Sequence, residues 1–509
     1  MPTLWRDALV LTMDETPDGA RPRRSDLLVD DGVIAAVGLG LDVPDGTNVR
    51  DGRDLLILPG LVNAHTHSWE ILFRGTSERL PLELWTLVSY PPLGVEPLPD
   101  RLVYLRTAIA ALESLRGGAT AVLDDVGELP AQSPESMAQV FAAYDGLGIR
   151  AVCTGAVADI AMVDRLPGAD ELFAPSLLSD SRRALRPSTA LIDAYLELSA
   201  SAIAMASSRP GGRTAYAVSP SAPHRCSDDL LRACHDFAVD QDLLVHTHLL
   251  ETRLQADVAR ERWGRTAVEH LDELGLLDER LVAAHGIWLT ASDRRMLGAA
   301  GSTVAHNPLS NLKLGSGVLD WRGMRDAGVR LALGTDGASS SDTLRMLETV
   351  KAAALGQATT ASDPESWPTA AEVLGAATRT GAAGLRTGAG VIAPGRPADL
   401  LVVDLARDTA FTPRHDVVRQ LVFSADASSI VEVWVAGECV VREGHSTRID
   451  DIALLREFRE EAERWVESVP AIRSANERLI GPAQAAYRSA RESTRFGGDD
   501  LRSDEGGSR

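Results

Sequence analysis

Eight short apolar runs spaced along the middle of the chain constrain its fold more than any other feature. They fall at residues 55–67, 119–126, 150–157, 215–219, 243–248, 281–285, 302–306 and 329–334. Each reads as a strand, and the stretches between them, such as 101–115 and 228–237, carry apolar residues at helical spacing. Strands alternating with helices favour a parallel sheet, because parallel neighbours need a crossover connection. Eight such units fit a (β/α)8 barrel. The competing arrangement is an open doubly wound sheet, which would carry a glycine-rich nucleotide loop after its first strand; none follows here.

The two ends of the chain differ from this middle. Residues 8–13, 26–30 and 33–37 are short apolar runs, with Asp31-Gly32 as a hairpin signal between the last two. The same texture returns at 398–403, 431–435 and 439–442, where Ala436-Gly437-Glu438 forms the turn. The expected fold is α/β: a (β/α)8 TIM barrel over 58–389, with a small β-sandwich domain built from both ends, 1–57 plus 390–448. Residues 449–509 are expected to form a helical segment, followed by a disordered tail from Phe496 onward that is rich in Gly, Asp, Ser and Arg.

The chain has 509 residues, room for a large barrel and a satellite domain. Its net charge of −21 argues against nucleic acid or an anionic membrane as partner. Cys153, Cys226, Cys234 and Cys439 form no CxxC pair and are read as free thiols in a reducing compartment. The first residues show no apolar signal region, and no uncharged run reaches the ~20 residues that span a bilayer. A cytoplasmic location is the expectation.

Several runs end in residues that bind metals or move protons. His65 and His67 stand at i and i+2, so on a strand both face one side, as ligands converging on one ion must. His246 and His248 repeat the spacing. His248 is chosen as the ligand, being nearer the strand end with Glu251 three residues on, and His246 is placed one layer deeper. His285 closes Val282-Ala283-Ala284, and Asp336 lies in Gly334-Thr335-Asp336-Gly337. Three imidazoles and a carboxylate can hold one divalent transition metal and a water. Glu251 and His285 can then move protons around that water.

Five strings carry a resemblance: LPGLVNAHTH (58–67), HTHLLET (246–252), AAHG (283–286), AHNPLSNLKLGSG (305–317) and LALGTDG (331–337). With them the chain resembles the amidohydrolase superfamily, in its group of cytosine deaminase-like, S-adenosylhomocysteine deaminase and chlorohydrolase enzymes. The resemblance implies a single metal, zinc ahead of iron, on His65, His67, His248 and Asp336. It makes Glu251 a proton shuttle and sets His285 beside the metal-bound oxygen. Binuclear relatives carry a lysine on the fourth strand, and Ala215-Tyr216-Ala217-Val218-Ser219 has none. The resemblance also implies a homodimer and a small heterocyclic substrate. Substrate contacts are expected from His224, Arg74, Trp85 and Asn311, with Trp85 equally readable as packing and Asn307 and Asn311 as turn residues.

These groups suggest hydrolytic deamination of a purine, pyrimidine, pterin or triazine. Metal-activated water would attack the amino-bearing ring carbon while Glu251 protonates the ring nitrogen and Asp336 takes a proton from the water, and ammonia would leave. The same site could instead displace chloride or an alkylamine, or open a cyclic amide. A catalytically silent barrel serving as a scaffold is the reading from another class.

Overall fold

The computed structural model describes residues 1–496, apart from Pro17 and Pro167. The expected disordered tail beyond Phe496 lies outside the described residues. The chain begins with β1 (Thr3–Val10), β2 (Arg23–Asp30), β3 (Val33–Gly38), β4 (Asn48–Asp51) and β5 (Leu55–Pro59). Eight barrel strands follow: β6 (Leu61–Thr66), β7 (Ala119–Asp124), β8 (Arg150–Val157), β9 (Thr214–Pro220), β10 (Val245–Leu249), β11 (Leu281–His285), β12 (Thr303–His306) and β13 (Arg330–Leu333). The chain returns through β14 (Leu400–Asp404), β15 (Ile430–Val435), β16 (Glu438–Arg442) and β17 (His445–Ser446).

The barrel strands are parallel and lie side by side in sequence order. The last joint, between β13 and β6, is closed by individual bonds. The Asp336 N–H donates to the His65 carbonyl at 3.0 Å, and the Thr335 N–H donates to Asn63 Oδ1 at 2.9 Å. Ser and Thr caps start many of the helices, among them Ser133, Thr266, Thr290 and Thr369, each with a reciprocal bond from the third helical residue.

The first apolar run of the sequence, 55–67, divides between two sheets. β5 joins the small sheet and β6 opens the barrel, with Gly60 between them. A Cβ at Gly60 would lie 2.1 Å from Thr120 Oγ1, so the crossing is open only to glycine.

The nine remaining strands make one mixed sheet, because β1 runs parallel to both β4 and β5. A bulge between Trp5 and Ala8 lets β1 pair with β4 in its first half and β5 in its second. The sheet curls over its own core. Trp5 and Trp434 meet edge to face at 5.0 Å, Arg50 on β4 binds Glu432 on β15 at 2.6 Å, and Ile34 bonds to Arg396 and Gly395. Three hairpins turn on paired left-handed residues, Asp31-Gly32, Ala436-Gly437 and Glu443-Gly444, as a two-residue hairpin turn with matched twist requires.

Residues 449–496 form two helices, Asp451–Val466 and Val469–Phe496. The first packs on the helix Asp100–Arg116 through Arg101–Glu457 at 2.6 Å and Arg116–Asp451. The second lies across the barrel mouth. Its Leu479, Ala483 and Ala486 pack with Leu84, Leu87, Val163 and Phe173, and Asn476 donates to the Leu93 carbonyl at 2.8 Å. The helix Thr189–Ser207 is long and apolar enough to cross a membrane by length and composition alone. Here it lies against β9, with Ser199 3.1 Å from the Tyr216 hydroxyl and Tyr195 accepting from the Ser219 N–H.

Candidate metal centre and substrate cavity

The C-terminal ends of β6, β10, β11 and β13 bring His65, His67, His248, Glu251, His285 and Asp336 into one buried cluster. Asp336 Oδ1 lies 3.4 Å from Nε2 of both His65 and His67, and the Nε2 atoms of His67 and His248 are 3.3 Å apart. His285 Nε2 stands 3.6 Å from Glu251 Oε2 and 4.0 Å from Asp336 Oδ2.

Each imidazole is held from behind through Nδ1. His67 Nδ1 meets the Asp125 carbonyl at 2.7 Å and His248 Nδ1 the Ser221 carbonyl at 2.8 Å. A carbonyl only accepts, so each Nδ1 carries the proton and each Nε2 presents its lone pair to the centre. His65 Nδ1 lies 3.0 Å from His246 Nε2, and His246 Nδ1 lies 3.2 Å from Ser219 Oγ. His246 is therefore the support of a neighbouring histidine. Burial pushes its pKa down to about 3, which keeps it neutral for that role.

This donor set fits a divalent cation. His65 Nε2 is buried without a hydrogen-bond partner, and against its burial the carboxylates of Asp336, Glu70 and Asp125 raise His67 to about 9, so the cluster favours a positive charge where the Nε2 atoms of His67 and His248 meet at 3.3 Å. Nitrogen and carboxylate donors of this kind suit zinc and its neighbours.

The backbone is bent to present these groups. Leu250, His285 and Asp336 all have positive φ, at 48°, 77° and 59°. Thr252 caps the helix Arg253–Trp263, and the Glu251 N–H donates to Gln255 Oε1 at 2.9 Å, which anchors Glu251 just before that helix. Burial, with the Asp336 carboxylate, pushes the Glu251 carboxyl well above the usual range, so it favours the protonated acid.

The cluster forms the floor of a cavity of 640 Å³. Trp85 and Tyr90 line it, as do Arg165, Ser221, Arg225 and Glu128. Trp85 also packs with Leu82 and Leu314 and donates from Nε1 to the Ser339 carbonyl at 3.2 Å, so it is at once wall and packing. Arg478 and Leu479 from the helix Val469–Phe496 complete the rim.

Three of the residues expected at the substrate are not among those lining the cavity. Arg74 binds Glu113 at 2.6 Å on the helix Asp100–Arg116. Asn311 Oδ1 meets His285 Nδ1 at 3.0 Å and so orients that ring. His224 lies buried in the single turn Pro223–Arg225, where consecutive side chains splay about 120° apart; its neighbours Arg225 and Ser221 line the cavity instead. The sequence reading also passed over Asp125, Glu70, Tyr90 and Arg165. Asp125 left a usable signal, an acidic pair closing the run 119–126. The others sit in long loops without a pattern.

Residues 56–440 match the amidohydrolase family. A 5′-deoxyadenosine deaminase of Methanothermobacter thermautotrophicus is 32% identical over 438 residues, covering 86% of this chain and 94% of its own. A 5-methylthioadenosine/S-adenosylhomocysteine deaminase of Pyrococcus furiosus is also 32% identical, over 435 residues, covering 86% and 95%. Among solved structures, an adenosine deaminase from Xanthomonas campestris with bound zinc superposes with a TM-score of 0.77 at 29% identity, covering 91% of this chain and 98% of that one. A zinc complex of atrazine chlorohydrolase from Arthrobacter aurescens superposes at 0.80 with 25% identity, covering 90% and 100%. The family match runs from β5 into β16 and so takes in every strand that feeds the histidine and aspartate cluster. The chain belongs to the amidohydrolase family.

Proposed function

We propose that the protein is a metal-dependent hydrolytic deaminase of an aminated N-heterocycle, with adenine nucleosides the first class to test. The observation that carries this reading is the position of Glu251, a buried carboxyl 3.6 Å from His285 Nε2 beside a set of metal donors, where burial pushes it toward the protonated acid. His65, His67, His248 and Asp336 would hold the metal, zinc by analogy with the zinc-bound neighbours. When bound, a divalent metal supplies a water acidic enough to be deprotonated near neutral pH.

The residues divide the remaining work. Asp336 Oδ2 lies on the His285 side of the cluster and accepts a proton there. Glu251 donates to the ring nitrogen next to the amino-bearing carbon, which relieves the negative charge that attack would otherwise leave on the ring. His285, whose Nδ1 donates to Asn311 Oδ1, turns its Nε2 lone pair to the centre and accepts from the hydroxyl that forms on that carbon. Ammonia leaves once Glu251 or Asp336 has passed it a proton. Trp85 and Tyr90 offer ring faces and edges for a flat heterocycle. The cavity is larger than a bare base needs, and Arg165, Arg225 and Arg478 add polar walls suited to a substituent on the ring.

Chloride displacement is the second reading, favoured by the likeness to atrazine chlorohydrolase. Chloride leaves without needing a proton, so a raised Glu251 speaks for an amine leaving group. A screen of aminated purines, pyrimidines, pterins and triazines, with chlorinated counterparts, tests the reading when metal content is measured on the same sample. Ammonia release that depends on bound metal is expected. Chloride release alone, or no turnover by metal-replete protein, would replace the deaminase reading.

A further inference from the structure

Glu70 is fully buried close to the metal donors, yet it has no place in the chemistry above. Every group around its carboxylate is a donor. Oε2 accepts from the N–H groups of Ser339 and Ser340, both at 2.9 Å, and both hydroxyls lie 3.0 Å from the same oxygen. The Tyr90 hydroxyl donates to Oε1 at 3.1 Å. Burial raises the Glu70 carboxyl, while the His67 ring and the Ser339 and Ser340 donors draw it back, so the cradle of five donors works to hold an ionised carboxylate. Gly337 belongs to the same arrangement, because a Cβ there would lie 2.0 Å from the Glu70 carboxyl carbon.

The contacts join two loops. Glu70 leaves the barrel three residues after His67, whereas Ser339 and Ser340 follow three and four residues after Asp336. Between them runs a short chain of bonds. The Gly337 N–H is 2.9 Å from Asp336 Oδ1 and 3.0 Å from Ser340 Oγ, and that hydroxyl reaches Glu70. Trp85 Nε1 and Lys313 Nζ both donate to the Ser339 carbonyl, at 3.2 and 2.9 Å, and tie the same loop from its other side. On the substrate side, Tyr90 lines the cavity, and its ring meets those of His67 and Trp85 at 6.0 and 5.8 Å.

We propose that Glu70 is a positioning residue that sets Asp336 against the histidines of β6 and fixes the Tyr90 hydroxyl as an acceptor facing the substrate. The proposal rests on the metal-site reading above. With its proton committed to Glu70, the Tyr90 oxygen has only lone pairs left for the cavity, so it selects a substrate N–H or O–H. The Glu70 charge also adds to the negative field around the cation site, as a partner behind a ligand does.

The test uses full-length protein, stripped of metal and titrated with cobalt(II), whose visible absorption reports the donor geometry without any substrate. Glu70→Gln is expected to bind cobalt about 10- to 100-fold more weakly and with a shifted band. It also forces the Tyr90 hydroxyl to turn and accept from the new amide. Tyr90→Phe is expected to keep the wild-type cobalt spectrum and to raise KM more than it lowers kcat for the substrate that the ammonia screen identifies. A Glu70→Gln protein with wild-type cobalt affinity and spectrum would overturn the proposal. Should that variant not fold, Ser340→Ala removes the hydroxyl link alone; a shifted band supports the proposal and an unshifted one overturns it. Wild-type protein that takes up no cobalt would instead remove the metal-site reading itself.

Discussion

The mouth of the barrel and the small sheet both contain non-glycine residues in the left-handed backbone conformation, for different reasons. In the small sheet, Asp31, Ala436 and Glu443 adopt it as the first residues of two-residue hairpin turns, each followed by a glycine that shares it, and Asp7 adopts it in the β1 bulge. At the hairpins the strand twist demands the conformation. At the mouth, Leu250, His285 and Asp336 adopt it where no hairpin exists. Each such residue costs on the order of 1–3 kcal/mol, and at His285 and Asp336 the return is a side chain turned toward a common centre. The two regions differ in filling as well. Trp5, Ile57, Val402 and Trp434 pack an apolar core in the sheet, while the mouth buries five histidines, two glutamates and two aspartates (His65, His67, His246, His248, His285, Glu70, Glu251, Asp125 and Asp336). Buried charge in the small sheet is paired with arginine, as in Arg6–Asp26 and Arg50–Glu432, whereas at the mouth the buried histidines and carboxylates face one another around a common centre.

Substitutions can break or sharpen this contrast. The largest effect is expected from Glu251→Gln, which should lower kcat by about 10²- to 10⁴-fold while bound metal, measured by elemental analysis, stays near one per chain. The same residue sets a pH dependence. Its carboxyl is raised and acts protonated, so the rate should hold on the acid side and fall as pH rises through the raised value, and the glutamine variant should lose that limb. Near-normal turnover by this variant would take the acid role away from Glu251. Next comes Trp5→Ala, expected to lower stability by about 3–5 kcal/mol in denaturant titration while leaving KM unchanged in the folded fraction. A changed KM would mean that sheet and mouth are coupled. His246→Ala should weaken metal binding about 10- to 100-fold by releasing His65 Nδ1, read by competition with a chelator. The smallest effect is expected from Gly437→Ala, which forces a Cβ to within 2.7 Å of Gly32 Cα in a left-handed turn and should cost about 1–3 kcal/mol with no change in metal content.

Much of this was legible in the chain. The eight barrel strands follow from the apolar runs, and the hairpins from Asp31-Gly32 and Ala436-Gly437, because turn chemistry and burial are local properties. His65, His67, His248, His285 and Asp336 stand out because each ends such a run. Other features had no local signature. Glu70 and Tyr90 become meaningful only when Ser339 and Ser340 arrive from some 250 residues away. Arg225 rather than His224 meets the cavity because a tight turn sends neighbouring side chains in different directions, which spacing along the chain does not reveal.

By itself, the sequence determined the alternation of strand and helix, the polar strand ends and the residue types able to hold a metal, since these depend on neighbours a few positions apart. Only the tertiary structure decided that Arg74 turns outward to Glu113, that Asn311 serves His285, and that the helix Val469–Phe496 walls the cavity with Arg478 and Leu479. Those outcomes depend on which distant segments come to share one volume. That is set by packing across the closed barrel, where a side chain's role follows from the group it meets.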